Sequence, residues 1–184
     1  MASERMGGTA ILIQNQFQLG RLAATANNQS NHFRTGDGST VVPVQFHQIT
    51  ILMFAIYMET SIGMVGPNLQ RLASTAATLT ALGLQYIGMG DFNATPEQLA
   101  ATGIQHQTQG CIISPVDAAA TCTQGQGRVI DYMLVSRRVM SLLSPLTLDM
   151  DTDWKPHVGL QVCVTCDASK LKEPGLVKPP PYQL

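Results

Sequence analysis

Apolar and polar positions alternate along the chain in short blocks, and the period of each block predicts an element. TAILIQ, residues 9–14, reads as a short strand, and the polar stretch after it runs to a turn signal at TGDGS. VVPVQFHQ (41–48) and ITILMFAIYM (49–58) read as two consecutive strands of a hairpin, with Pro43 directing the first towards a sheet edge because it has no N–H to donate. Over 66–83 the period changes. Leu69, Leu72, Ala73, Ala76, Leu79 and Leu82 recur at helical spacing, and Gly83 stops the helix. LQYIGMG (84–90) is a buried strand. In TPEQLAATG, Thr95 caps a second helix, Pro96 suits its first position, Gln98 completes a capping box and Gly103 ends it. Residues 103–127 show little periodicity and read as loop, while 128–136, 139–150 and 157–165 read as strands. Strands interleaved with a few helices place the chain in the α/β class, with α+β-like character and mixed or stacked sheets.

The length of 184 residues suits one domain, here 1–167, followed by a Pro-rich tail at 168–184 that cannot build a core. Hydrophobic residues make up 45% and charged residues 12%, so most of the chain is built to pack. A formal net charge of −1 gives no overall field for polyanions, although a small cleft can still handle one phosphate. The longest apolar run is too short to span a bilayer, and the N-terminal residues carry no secretory signal pattern. An intracellular protein, nuclear or cytoplasmic, is therefore expected. Cys163 and Cys166 form one CxxC, but on a strand, residues three apart face opposite ways, so buried thiols are expected rather than a zinc or redox site.

Candidate chemistry begins at IGMGDFN. The carboxyl end of an apolar strand opens towards ligands in α/β folds, and Gly88 and Gly90 thin the backbone there. Asp91 and Asn93 project to one side if the strand continues, where a carboxylate and an amide can hold a cation, orient a water or bond a phosphate. They equally suit a turn that caps the next helix. Asp131 lies inside the apolar run RVIDYMLVS, where an unpaired carboxylate is costly. His157 opens another apolar run, and a buried Asp beside a His fixes its tautomer.

GDFN after an apolar strand, an IDY strand and a late histidine opening the last strand together resemble the endonuclease/exonuclease/phosphatase superfamily, the deoxyribonuclease I-like proteins. GGTAILIQ, ITILMFAIYMETS and GPNLQRLASTAATL resemble its earlier segments, so the likeness covers residues 7 to about 165. WKPH resembles retroelement-type endonuclease domains. The resemblance implies a two-sheet α/β sandwich with flanking helices, and a Mg²⁺- or Mn²⁺-dependent phosphoester hydrolase, endonuclease-like, acting on nucleic acid or another phosphoester. It gives Asp91 the role of orienting or deprotonating the attacking water, and Asn93 that of holding phosphate or metal. His157 would stabilise or protonate phosphate oxygens with Asp131 orienting it. Tyr57 would point its hydroxyl at the phosphate, and Asn68 would support the substrate pocket more remotely.

Two departures qualify those roles. The family's first strand carries an Asn and a following segment carries the Glu that binds the principal metal, and this chain begins after both. Glu4 and Glu59 do not match that position. The family also has Asp directly before its late histidine, where this chain has Pro156, with Asp151 and Asp153 out of register. The expectation is an incomplete sandwich whose activity is impaired, the alternative being a non-catalytic relic or interaction module. Apolar strands left without partners would favour association with another chain. Pro179, Pro180, Pro181 and Tyr182 match the PPxY pattern bound by aromatic-grooved domains.

Overall fold

The predicted hairpin is the spine of the main sheet. A computed structural model of the chain describes residues 9–12, 18–19, 38–46 and 49–165. In it β1 (Gln18–Leu19) and β2 (Ser39–Phe46) precede β3 (Ile49–Tyr57), which pairs antiparallel with β2 from Phe46↔Ile49 to Ser39↔Ile56. Pro43 does not place β2 at an edge, because β1 pairs with its Val44 and Gln45.

Helix α1 (Gly66–Leu82) carries the chain back so that β4 (Gln85–Asp91) lies parallel to β3. Gly83 ends the helix as predicted, in the left-handed conformation (φ 62°) and with its N–H on Leu79 O. The buried stripe is rotated from the predicted one. Asn68, Leu72, Thr75, Ala76 and Leu79 face the core, while Leu69 and Ala73 are exposed. Helix α2 (Pro96–Ala101) has the predicted capping box, the Thr95 hydroxyl accepting from Gln98 N–H and Gln98 Oε1 from Thr95 N–H.

Three stretches differ from the sequence reading. The 103–127 loop contains a short helix, α3 (Ile104–Gln107), and a strand, β5 (Gly110–Ile113), which pairs antiparallel with β6 (Asp131–Ser136). In place of a strand over 139–150 there is a 3-10 helix at Arg137–Leu142, which buries Val139 and Leu142 three residues apart on one face. Only β7 (Thr147–Asp149) is extended there, and it pairs with β8 (Gly159–Gln161). Residues 9–12 form no strand, and Leu12 is 96% exposed.

The six-stranded sheet runs β1-β2-β3-β4-β6-β5, and β7-β8 form a second sheet. One face packs Phe54, Ile56, Tyr86, Tyr132 and Leu134 against Leu72, Leu79, Leu99 and Ile104 of the helices. The other packs Ile51, Ile87, Met133 and Val135 against Leu146, Leu143, Leu160 and Val164 of the second layer. Helices thus cover one face and the small sheet the other, the mixed two-sheet α/β arrangement expected. Glu4, His32, His47, Cys166 and the tail from 168, with Pro179 and Tyr182, lie outside the described residues. Cys163 is exposed rather than buried.

Candidate active site

Register brings three polar side chains into one row. Tyr57 pairs with Asp91 across β3 and β4, and Asp91 pairs with Asp131 across β4 and β6. Residues directly opposite one another share a face. By the alternation along β4 and β6, that face carries Ile87, Met89, Met133 and Val135, so it is covered by the second layer. Gly88 and Gly90 serve this placement, although the approach they permit is not that of a ligand. A Cβ at Gly88 would overlap the Phe54 ring and one at Gly90 would overlap the Ile56 carbonyl, so the glycines let β3 lie close to β4.

Two carboxylates opposite each other repel, and burial adds to the cost. The Asp91 carboxyl is pushed up to about 6, first by burial and then by the nearby Asp131 charge, with the Asn93 N–H and His157 opposing. Burial also raises Asp131, against the bond from His157. His157 sits between them. Its Nδ1 lies 3.1 and 3.0 Å from the two Asp131 oxygens, and its Nε2 lies 3.8 Å from Asp91 Oδ2. An ionised carboxylate only accepts, so the Nδ1 proton points at Asp131 and Nε2 is turned to the Asp91 side.

Asn93 reaches the site by a different route from the one predicted. The strand ends at Asp91, and Asn93 is left-handed (φ 47°), so the two do not share an extended face. Asp91 Oδ1 instead accepts the Asn93 N–H at 2.9 Å, the turn bond of an Asx residue. Asn93 Nδ2 donates to Met58 O at 2.7 Å, tying the turn to the end of β3. Asn68 is buried and spends its amide on backbone. Its Oδ1 accepts Glu59 N–H at 2.7 Å, and its Nδ2 donates to Glu59 O and Gly63 O, each at 2.9 Å. It shapes the loop after Tyr57. Glu59 pairs with Arg71 at 3.4 Å, and Arg71 also donates to Tyr57 O.

The sequence reading missed the bracket formed by Thr121, Cys122 and Thr123. Thr121 is fully buried, and its Oγ1 accepts the N–H groups of Ile130 at 3.0 Å and Asp131 at 2.8 Å. Thr121 O accepts Val158 N–H, Cys122 pairs with His157 through backbone, and Thr123 N–H and Oγ1 both reach Pro156 O. One short segment therefore holds Asp131 and His157 in mutual register. In sequence it lies in a run of small residues, AAATCT, without period, so no hydropathy signal marks it.

Among the described residues, Asp91, Asp131 and His157 form a group able to hold a metal ion, each offering one ligand atom with all three within 4.8 Å. Asp131 already has both oxygens near His157 Nδ1 and Asp91 Oδ1 accepts from Asn93, so Asp91 Oδ2 is the carboxylate oxygen least engaged by the protein. Asp151 and Asp153 are exposed and do not belong to the group.

Similarity to known proteins was found at the level of structure. The chain matches the endonuclease domain of TRAS1, a telomere-specific non-LTR retrotransposon, with a TM-score of 0.58 and 16% identity over 70% of this chain and 64% of that one. It matches the human Nocturnin catalytic domain at 0.54 and 14% identity, over 82% of this chain and 60% of that one. The AP endonuclease LMAP from Leishmania major matches at 0.52 and 14%, over 70% and 55%. The fold is that of the endonuclease/exonuclease/phosphatase proteins. The chain spans between 55% and 64% of the length of these three structures. No protein-family model and no curated protein matches the sequence. No helix among the described residues is long and apolar enough to cross a membrane.

Proposed function

We propose that this endonuclease/exonuclease/phosphatase-fold domain hydrolyses phosphodiesters of nucleic acid, with Asp91, Asp131 and His157 as its working groups. The observation that carries the reading is the imidazole held between two half-buried carboxylates at the aligned ends of β4 and β6. A carboxylate whose proton leaves near pH 6 suits a general base at neutral pH, which fits Asp91 to take a proton from the attacking water. Asp131 fixes the imidazole so that Nε2 meets phosphate oxygens or the leaving group. Tyr57 flanks Asp91 in the same row and can offer its hydroxyl to the phosphate. Asn93 Oδ1 stays available beside Asp91, because the amide binds Met58 through its nitrogen. Asn68 positions the loop at the rim.

A hard divalent cation fits the donor set through Asp91 Oδ2, assisted by Asn93 and substrate oxygens, as Mg²⁺ is commonly held by one or two carboxylates, and with it bound Asp91 would orient the attacking water instead of taking its proton. When bound it would act as a Lewis acid on the phosphate. Glu59 binds Arg71 instead of facing the site, so the metal-binding Glu implied by the resemblance has no described counterpart here. That observation favours a second reading, in which the domain binds nucleic acid without turnover.

Plasmid nicking and phosphatase assays with Mg²⁺, Mn²⁺ or chelator decide between the two. The expected result is cation-dependent nicking that falls by about two to four orders of magnitude in Asp91→Ala and His157→Ala. Equal rates in all three proteins would remove the catalytic reading.

A further inference from the structure

We propose that the loop between β7 and β8 is a nucleobase-binding element in which Trp154 stacks on a base of the strand held at the active site. The inference rests on the nucleic-acid reading above and names the part of the substrate that this loop recognises.

Trp154 is 72% exposed and Met150, four residues before it, is also 72% exposed. Single exposed apolar residues are ordinary, but leaving a large indole in water next to the site, with a methionine also exposed on the same loop, is costly enough to need a reason. The place of the indole gives that reason. His157 N–H donates to Trp154 O at 2.9 Å, closing a four-residue turn that keeps the two Cα atoms within about 7 Å. The single tryptophan of the chain therefore lies one turn from the imidazole between Asp91 and Asp131.

The loop is also held in shape. Asp149 Oδ1 accepts Asp151 N–H, Thr152 Oγ1 donates to Asp149 O and accepts Gly159 N–H, and Thr123 fastens Pro156 O from the neighbouring segment. A fixed loop loses little freedom when a ligand settles on it, which favours binding. Its charges choose the part of the ligand. Asp151 and Asp153 outnumber Lys155, so the loop repels phosphate and suits the uncharged face of a base. The phosphate then falls to the His157 side of the turn. Sugar and phosphate alone would gain less from the indole, because they lack the flat π face of a base.

Because Trp154 is the only tryptophan, its emission reports on this loop alone. The chain is titrated, with chelator present, with a short single-stranded DNA, its RNA counterpart, the same strand made wholly abasic, and inorganic phosphate. Binding of the labelled strands is followed separately by anisotropy. Saturable quenching by DNA or RNA, absent with the abasic strand and with phosphate, supports stacking, and the DNA and RNA affinities tell which strand is preferred. Trp154→Ala should lose about tenfold or more in affinity for the base-bearing strand, the share of one stacked base, with Trp154→Phe keeping most of it. Binding with unchanged emission, or equal quenching by the abasic strand, overturns the proposal and leaves the hydrolase reading intact. If no strand binds, the proposal falls together with the nucleic-acid substrate, and the phosphatase assay alone then carries the phosphoesterase reading.

Discussion

Replacing Asp91 with Asn should make the cation-free protein more stable while removing its activity. The folded chain raises the Asp91 carboxyl from 3.8 to about 6, mainly because the charge is buried and secondly because Asp131 stands opposite. Below pH 3.8 the folded and unfolded states both keep the proton, and Asp91 costs nothing. As pH climbs from about 4 to about 6, the unfolded chain releases the proton and the folded one retains it, so stability falls. Above that range the full penalty stands. That rise in pKa corresponds to roughly 3 kcal/mol, and water reaching the half-buried carboxylate reduces it to about 1–2 kcal/mol. Asn at this position keeps an oxygen for the Asn93 N–H, so the turn survives. The assay is urea unfolding followed by far-UV circular dichroism, with chelator, between pH 4 and 8. The gap between Asp91→Asn and the wild type should open as pH rises and level off above about 6. A divalent cation at ten times its dissociation constant should return about 1.4 kcal/mol to the wild type and little to the variant. A variant less stable than the wild type at pH 7.5, or a gap that ignores pH, would refute the account of Asp91.

Two other substitutions test the supports around the site. Thr121→Ala leaves two N–H groups of the Asp131 strand without their acceptor, at a cost of about 1–3 kcal/mol each, and should also lower nicking because Asp131 and His157 lose their bracket. Thr121→Ser restores the oxygen and should recover both, as thermal melts and nicking rates will show. Gly88→Ala drives a methyl into the Phe54 ring and should destabilise by about 1–3 kcal/mol, measurable by urea midpoint, with an unchanged midpoint speaking against the close strand approach.

The sequence shows the parts of the fold where a period is long or a cap is explicit. The hairpin of β2 and β3, helix α1 with Gly83, and the Thr95–Gln98 box are of this kind. What it hides depends on partners distant in the chain. β5 becomes a strand because β6 offers it an edge, with Gly110↔Ser136 and Ile113↔Met133 in register. The apolar run at 139–150 is ambiguous in period, and its buried residues Val139 and Leu142, three apart, share a face only in a 3-10 turn. TAILIQ has the composition of a strand, but residues 9–12 find no strand to pair with among the described residues. At the site, Asp91, Asp131 and His157 stand out in the sequence because a charge within or at the mouth of an apolar run demands an explanation. Thr121 carries no charge and stands in a run of small residues, so only its burial and its bonds to Ile130 and Asp131 mark it.

The chemistry and the packing of the two layers depend on each other. Tyr57, Asp91 and Asp131 come from the main sheet, where their row is fixed by backbone pairing alone. His157 comes from the second layer, whose place is fixed by Leu146, Leu143 and Leu160 on Ile51, Ile87 and Met133. Without that docking, Asp91 and Asp131 face each other with no imidazole between them, and their repulsion opposes the sheet that holds them. With it, the hydrophobic contact brings in the group that makes one carboxylate a partner and leaves the other free to act. The cost at Asp91 is therefore the residue of an incomplete neutralisation: Nδ1 serves Asp131 directly, while Nε2 remains 3.8 Å from Asp91 Oδ2. In the proposed reading, a cation held by Asp91 Oδ2 would relieve the charge that burial penalises, beside an imidazole already oriented by Asp131.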